Sequence, residues 1–131
     1  MARALTQAYE AALRPVGLRA TQLTMMQVLS RTGEVTQGRL GEMMALDSTS
    51  LTRTLGIMMH EGWLAERRGT DRRKRLLRLS RAGSAKLKQA WPLWEEVQER
   101  VRREVGEKKW GELLQVTRDV TGAVVNIERD S

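Results

Sequence analysis

Residues 67–75 bring together six basic side chains and one acidic side chain, with a short apolar run on either side. The runs, WLA at 63–65 and LLRL at 76–79, have the composition of short strands. Gly69 gives the backbone freedom to turn between them. The pattern predicts a β-hairpin whose charged loop has to be solvated or opposed by anions, because like charges so close together repel one another.

Two short helices are predicted directly before this hairpin. Thr36 is a suitable N-cap for the segment 36–44, and Asp47 or Ser48 can cap the segment 47–62. Helices joined by about three residues and followed by a hairpin are typical of a winged helix-turn-helix. The apolar positions that share one face are Leu40, Met43 and Met44 in the first helix and Leu51, Leu55, Met58 and Met59 in the second.

Further helices are predicted on both sides of this unit. A helix over 3–14 is followed by one that begins at Thr21 as its N-cap. After the hairpin, Ser80 can cap a long helix in which Pro92 either causes a bend or joins two helices. A last helix is expected from about Glu107. The fold class is therefore mainly α with a small β-hairpin wing.

The C-terminal helices carry more apolar side chains than a small core needs, which indicates a partner chain packed against them. The positions concerned include Trp94, Val97, Val101, Leu114 and Val120.

The charge balance favours a polyanionic partner. The chain has 23 Lys and Arg against 16 Asp and Glu, a net charge of +7. Nucleic acid is the first candidate for such a partner and an anionic membrane surface the second. The segment 84–104 mixes acidic with basic residues, which weakens the membrane reading.

Several classes of site are excluded or disfavoured. The chain has no cysteine, which excludes disulfides, thiolate zinc sites and thiol redox sensing. The sequence contains no glycine-rich phosphate loop, no histidine paired with a nucleophile and no carboxylate pair in an apolar setting, so we expect no enzyme, no cofactor and no metal. Without a long apolar run or a signal-like start, we expect a cytoplasmic protein that does not enter a membrane.

The second helix of the helix-turn-helix is unusually rich in short polar side chains, which are modest helix formers. One explanation is that small outward residues let the helix approach base edges in a major groove. The other is that some of them only cap the helix. Arg53 can recognise guanine through two hydrogen bonds or bind a phosphate. The candidate DNA-reading residues are Ser48, Thr49, Ser50, Thr52 and Arg53.

Backbone contacts are expected from two other places. The start of the preceding helix offers N–H groups and a favourable dipole to a phosphate, although Thr36 can act as a cap alone. The hairpin loop can place an arginine in a minor groove, or it can be only a solvated basic loop. The candidates are Thr36, Gln37 and Arg39 at the helix start, and Arg68, Asp71, Arg72, Arg73 and Lys74 in the loop.

The stretch 17–83 resembles the MarR family of winged-helix regulators. The resemblance rests on GLRATQLTMMQVL, LTRTLGIMMHEGWLAERR and DRRKRLLRLSRAG. The last segment is the most specific, because the family repeatedly has an Asp-x-Arg wing, here Asp71 and Arg73, followed by a Leu-Ser/Thr strand end and a glycine, here Leu79, Ser80 and Gly83.

The resemblance implies roles for these residues and for the flanking helices. It implies that Asp71 orients Arg73 by a salt bridge and that Arg73 enters a minor groove. It also implies that 18–79 form the DNA-binding core, while 1–17 and 80–131 form a helical dimerisation region. Family members often respond to a small-molecule effector. No ligand signature is visible here, because Trp91 and Trp94 have the helical spacing of packing residues and His60 is best explained by its place near a helix end.

Taken together, the residues and the resemblance predict a sequence-specific double-stranded DNA-binding regulator. It would act as a homodimer on a pseudo-palindromic operator, most often as a repressor. The alternative is a winged helix that binds protein or RNA without reading a DNA sequence.

Overall fold

The computed structural model describes residues 2–71, 73–112 and 115. A short 3-10 turn at Arg14–Val16 follows the first helix, and helical backbone is also present over 107–112. The predicted mainly α fold with a small β component is confirmed. In chain order the elements are α1 (Ala2–Leu13), α2 (Ala20–Thr32), β1 (Val35–Thr36), α3 (Gln37–Met44), α4 (Ser48–His60), β2 (Leu64–Arg68), β3 (Arg75–Leu79) and α5 (Arg81–Val105).

The strands form one antiparallel sheet with β3 in the centre, in the order β1-β3-β2. Leu64 pairs with Leu79 and Arg68 with Arg75, so β2 and β3 make the predicted hairpin. The strands extend into the charged stretch, and the loop that joins them is therefore only 69–74. The sequence did not predict β1, in which Val35 pairs with Leu77. This strand has two residues, too few to produce an alternating pattern.

The core joins the helices to the sheet. Met25 and Met26 of α2, Met58 of α4 and Leu77 of β3 are fully buried. Because the chain has no phenylalanine, flexible methionines fill space that aromatic rings often occupy. This packing holds α3, α4 and the hairpin together as one unit. Other members of the core are Leu13, Val16, Leu18, Leu23, Leu29, Leu40, Leu51, Leu55, Leu64 and Ala90.

The start of α2 differs from the prediction. Thr21 lies inside the helix, so its assignment as the N-cap is wrong. The first backbone groups are instead satisfied by side chains from two places. The Gln22 side chain accepts the N–H of Arg19 at 2.9 Å, and the Glu10 carboxylate accepts the N–H of Ala20 at 3.0 Å.

The start of α5 agrees with the prediction. The Ser80 hydroxyl accepts the N–H of Gly83 at 3.0 Å and donates to the carbonyl of Gly62 at 2.6 Å. The helix is continuous through Pro92, so this proline does not join two separate helices. One cap therefore fixes α5 to the end of the helix-turn-helix.

Gly83 is required at the contact between α5 and the start of the hairpin. A methyl group at this position would clash with the carbonyl oxygen of Trp63, which is backbone and already accepts the N–H of Ser80 at 3.0 Å. We expect Gly83→Ala to lower the free energy of unfolding by about 1–3 kcal/mol, the usual range for overpacking. Urea unfolding measures this, with the exposed neighbour Ser84→Ala as control. A Gly83→Ala protein as stable as wild type would contradict the contact.

The chain divides into two compact units within α5, the first ending at Trp94 and the second beginning at Glu95. The expectation of one domain over 1–131 stays a prediction. Of the apolar positions expected at a partner interface, Leu114 and Val120 lie outside the described residues. Within the described ranges, no helix combines the length and apolar character that crossing a membrane requires.

Candidate nucleic-acid interface

The second helix of the helix-turn-helix, α4, begins at a well-formed cap. The Asp47 carboxylate accepts the backbone N–H of Ser50 at 2.7 Å and its hydroxyl at 3.0 Å. Of the two predicted caps, Asp47 is therefore the one used. The backbone hydrogen bond, helped by the hydroxyl of Ser50, lowers the pKa of the Asp47 carboxyl below its ordinary value. Capping thus occupies Asp47 and Ser50, and it does not account for the other polar residues of the helix.

The remaining polar residues form an exposed face of α4. Ser48, Thr49, Thr52 and Arg53 are exposed. Within the described part of the chain, Arg53 has no ion-pair partner, and the hydroxyls of Thr49 and Thr52 have no hydrogen-bond partner. The opposite side of the helix is buried and consists of Leu51, Leu55 and Met58. The helix is therefore held by one side and presents small polar groups and one arginine on the other.

The first helix of the pair, α3, begins at Thr36 as predicted. The Thr36 hydroxyl accepts the N–H of Arg39 at 3.2 Å. Gln37 is the first residue of the helix. Arg39 is exposed and lies 3.9 Å from the Glu42 carboxylate, too far for a strong pair.

A groove of about 430 Å³ lies between the starts of α3 and α4 and the hairpin. It brings five of the predicted residues together: Thr36, Gln37, Ser48, Arg73 and Lys74. The other lining residues are Gly38, Leu51 and Arg75. Two helix N-termini and the cations Arg73 and Lys74 around one groove make it attractive to an anion. The other predicted residues, among them Arg39, Arg53 and Arg68, do not line it.

Two ion pairs hold the strands of the hairpin. Arg67 of β2 donates two hydrogen bonds to Glu34, at 2.6 and 2.8 Å, which ties the hairpin to the residue before β1. The Glu34 carboxylate raises the pKa of Arg67, mainly through these hydrogen bonds. Arg75 of β3 pairs with Glu66 of β2. Both arginines are thus neutralised within the fold, so the strand part of the basic stretch is less free to bind an external anion than its composition suggests.

The loop at the tip of the hairpin presents its cations to solvent. The Asp71 carboxylate accepts the backbone N–H of Arg73 at 3.1 Å, and among the described residues no ion pair joins it to the Arg73 guanidinium. Asp71 therefore shapes the turn rather than holding the arginine head group. Arg73 and Lys74 are exposed, and Arg68 is the exposed last residue of β2. Arg72 lies outside the described residues.

Comparison of this chain with proteins of known structure identifies its family. The transcriptional regulator MOSR of M. tuberculosis, solved in complex with DNA, is 34% identical, with 96% of this chain and 91% of that chain covered and a TM-score of 0.79. The chain belongs to the MarR family. A mutant of MarR from E. coli, solved with operator DNA, has the same fold at 19% identity, with a TM-score of 0.81 over 90% of this chain and 86% of that one.

Two further comparisons give weaker evidence on the family. The uncharacterised HTH-type transcriptional regulator YwoH of Bacillus subtilis is 27% identical over 85 residues, which are 65% of this chain and 62% of that protein. No protein-family model matches the chain. The assignment to the MarR family therefore rests on the 34% identity to MOSR over nearly the whole chain together with the fold that the chain shares with MarR.

The ion pairs of this MarR-family wing were missed by reasoning from sequence. Arg67 and Arg75 had been counted among the loop cations, whereas both lie in strands and are paired. The pairing of Glu66 with Arg75 could have been anticipated, since the strand register brings both to neighbouring positions once the loop is known to be 69–74. The pairing of Glu34 with Arg67 could not have been anticipated, because the two residues are distant in sequence and Glu34 precedes a strand of only two residues.

The Asp47 cap gives a pH-dependent contribution to stability. Because the folded pKa is lowered, the stabilisation is fully present above the unfolded pKa and is lost as the pH falls through the folded value. Asparagine can accept the same backbone hydrogen bond but does not ionise, so a comparison with Asp47→Asn isolates the contribution of the carboxylate charge. We therefore expect the difference in stability between wild type and Asp47→Asn to shrink between pH 5 and pH 3, while Asp47→Ala is less stable than both at pH 7. Urea unfolding at these pH values measures the effect, and a difference that does not change with pH would contradict it.

Proposed function

We propose that this chain is a sequence-specific double-stranded DNA-binding transcriptional regulator. The observation that carries the proposal is the exposed face of α4, where Ser48, Thr49, Thr52 and Arg53 stand opposite a buried apolar stripe. A helix presented in this way fits the major groove of B-DNA, and short side chains let its backbone come close to the base edges. Arg53 is the residue we assign to guanine, because its guanidinium can donate to both O6 and N7.

Phosphates would be bound on both sides of α4. We assign the groove between α3, α4 and the hairpin to the DNA backbone, with Thr36, Gln37 and Lys74 around the phosphate. Arg39 extends this contact along α3. The wing loop would lie over the neighbouring minor groove, where Arg73 meets the most negative potential. We assign Arg68, Asp71 and Arg72 to the same DNA contact.

We propose that the protein acts as a homodimer. The described part of α5 leaves apolar side chains partly exposed, among them Trp91 at 38%, and the neighbouring ring of Trp94 lies 5.1 Å away from it. A second copy packed on this face would remove these side chains from water and so stabilise the helix. In this assignment 18–79 form the DNA-binding core, and 1–17 and 80–131 form the dimerisation region. The two copies of α4 would then enter successive major grooves about 34–36 Å apart.

The proposed role is repression by occupying an operator, with release by a small-molecule effector. MOSR and YwoH are described as transcriptional regulators, not as enzymes, and a regulator of this kind works in the cytoplasm of a bacterial cell.

The competing function is the binding of RNA or protein by the same winged helix. Arg53, Arg73 and Lys74, which have no ion-pair partner among the described residues, favour a nucleic acid. The width of α4 favours duplex DNA over the deep, narrow major groove of RNA.

Selection from random duplex DNA tests the proposal. We expect wild-type protein to enrich a two-fold symmetric motif, Arg53→Ala to lose the preference for guanine, and Arg73→Ala to weaken selection at the flanking A·T-rich positions. Retention without any motif would reduce the protein to a non-specific DNA binder. Retention of a single-stranded or duplex RNA library alone would favour the RNA-binding alternative.

A further inference from the structure

Two glycines of the helix-turn-helix have no structural reason to be glycine. Gly38 lies in α3 and Gly56 in the middle of α4, and neither has a positive φ. A methyl group built on either would meet no atom of the described residues within 4 Å, apart from its chain neighbours and the backbone of its own helix. Glycine destabilises a helix relative to alanine, because it loses more backbone freedom on folding. Alanine would therefore give a more stable protein at both positions, and no contact within the described structure forbids it.

Two other helical glycines, Gly41 of α3 and Gly83 of α5, do have a structural reason. A methyl group at Gly41 would lie 2.9 Å from the side chain of Leu51, at the contact between α3 and α4. At Gly83 it would clash with the carbonyl oxygen of Trp63. These two positions are glycine because another part of the molecule comes too close for a side chain. The same physical reason, applied to Gly38 and Gly56, points to something that is not part of the chain.

Both unexplained glycines lie on the proposed DNA-binding surface. Gly56 follows Thr52 by four residues and Arg53 by three, so it belongs to the same exposed face of α4. Side chains lean towards the N-terminus of a helix, and a methyl group at Gly56 would therefore cover the surface beside Thr52 and Arg53. Gly38 lines the groove next to Thr36 and Gln37.

We propose that Gly38 and Gly56 are positions where bound DNA comes too close to the helix backbone for any side chain. Gly56 lets the DNA lie directly on α4 beside Arg53, and Gly38 lets a phosphate approach the first turn of α3. This inference rests on the proposed function and adds to it two residues that no polar or charged pattern would indicate. Helix stability is lower at both positions because DNA binding requires the space, a trade-off common at functional sites.

The test compares stability with operator affinity for Gly56→Ala and Gly38→Ala. We expect Gly56→Ala to raise the melting temperature by about 3–5 °C at equal protein concentration and to weaken operator binding at least about tenfold. Gly38→Ala should weaken binding by a similar factor with a smaller thermal shift, because it lies in the first turn of its helix. Fluorescence anisotropy with a labelled operator measures affinity, and calorimetry measures the melting temperature.

A matched control separates a gain in stability from a loss of space. Thr24 is an exposed residue of α2 whose hydroxyl bonds the carbonyl of Ala20, and Thr24→Ala should raise helix stability without changing affinity. Unchanged operator affinity in both glycine variants would overturn the inference, and so would a lower melting temperature for Gly56→Ala, because the glycine would then serve the fold. A wild-type protein that binds no duplex DNA would overturn the proposed function along with it.

Discussion

Raising the salt concentration from 50 to 200 mM is expected to weaken binding to the best operator about a thousandfold. The cations that we assign to phosphates and to the minor groove, Arg39, Arg73 and Lys74, are all exposed, which gives about six such cations in a dimer. Each phosphate that they neutralise releases counterions, so the logarithm of the association constant should fall with the logarithm of salt concentration with a slope of about −5. Titrations of a labelled operator at four salt concentrations measure the slope.

The ion pairs of the wing determine which of its arginines should contribute to the salt dependence. Arg67 and Arg75 are held by Glu34 and Glu66, so they should add little to the slope. Lys74→Ala removes one free cation per chain and should make the slope shallower by about 2, with no change in base preference. A slope near zero for wild type would mean that phosphates are not the main contact and would contradict the assignment of the groove and wing.

Arg53→Ala is expected to weaken operator binding about thirtyfold or more and to relax the preference at one base pair in each half-site. A two-bond contact to guanine contributes about 1–3 kcal/mol of discrimination, and a symmetric dimer makes it twice, for a total of about 2–6 kcal/mol. The side chain is exposed and outside the core, so the fold should be unaffected. Anisotropy titrations with the selected operator and with single-base variants measure both effects.

Arg53→Lys is the matched control for charge. Lysine keeps the positive charge but cannot offer the planar pair of donors, so most of the base preference should be lost while the salt dependence stays close to that of wild type. If Arg53→Ala loses affinity equally for every sequence, the residue binds a phosphate, the alternative use that its position also allows.

Periodic patterns predicted the elements that carry the candidate interface. The apolar positions of α3 and α4 recur at helical spacing, and the caps Thr36, Asp47 and Ser80 have side chains whose hydrogen bonds start helices by themselves. Local chemistry of this kind depends on residues three or four apart, so it can be read from the chain. The capping of α2 could not be predicted from the sequence, because Glu10 reaches the start of that helix from α1.

The electrostatics of the wing needed the structure. The sequence alone gives no reason to treat any of the six basic residues of 67–75 as less available to an anion than the others. The structure neutralises two of them, Arg67 through Glu34 and Arg75 through Glu66. The structure also changes the role of Asp71, which holds the backbone of Arg73 in the turn. The role of Gly38 and Gly56 also needed the structure. Whether a position requires glycine depends on which atoms a side chain there would contact, and the sequence does not give those distances.

Methylation protection on the selected operator tests the central claim most directly, because guanine N7 is open only in the major groove and adenine N3 only in the minor groove. We expect bound protein to protect guanine N7 at two positions about 10 base pairs apart and adenine N3 at the flanks, with guanine protection lost in Arg53→Ala. Full occupancy of the operator with every guanine N7 still open to methylation would contradict the claim that the exposed face of α4 reads the major groove.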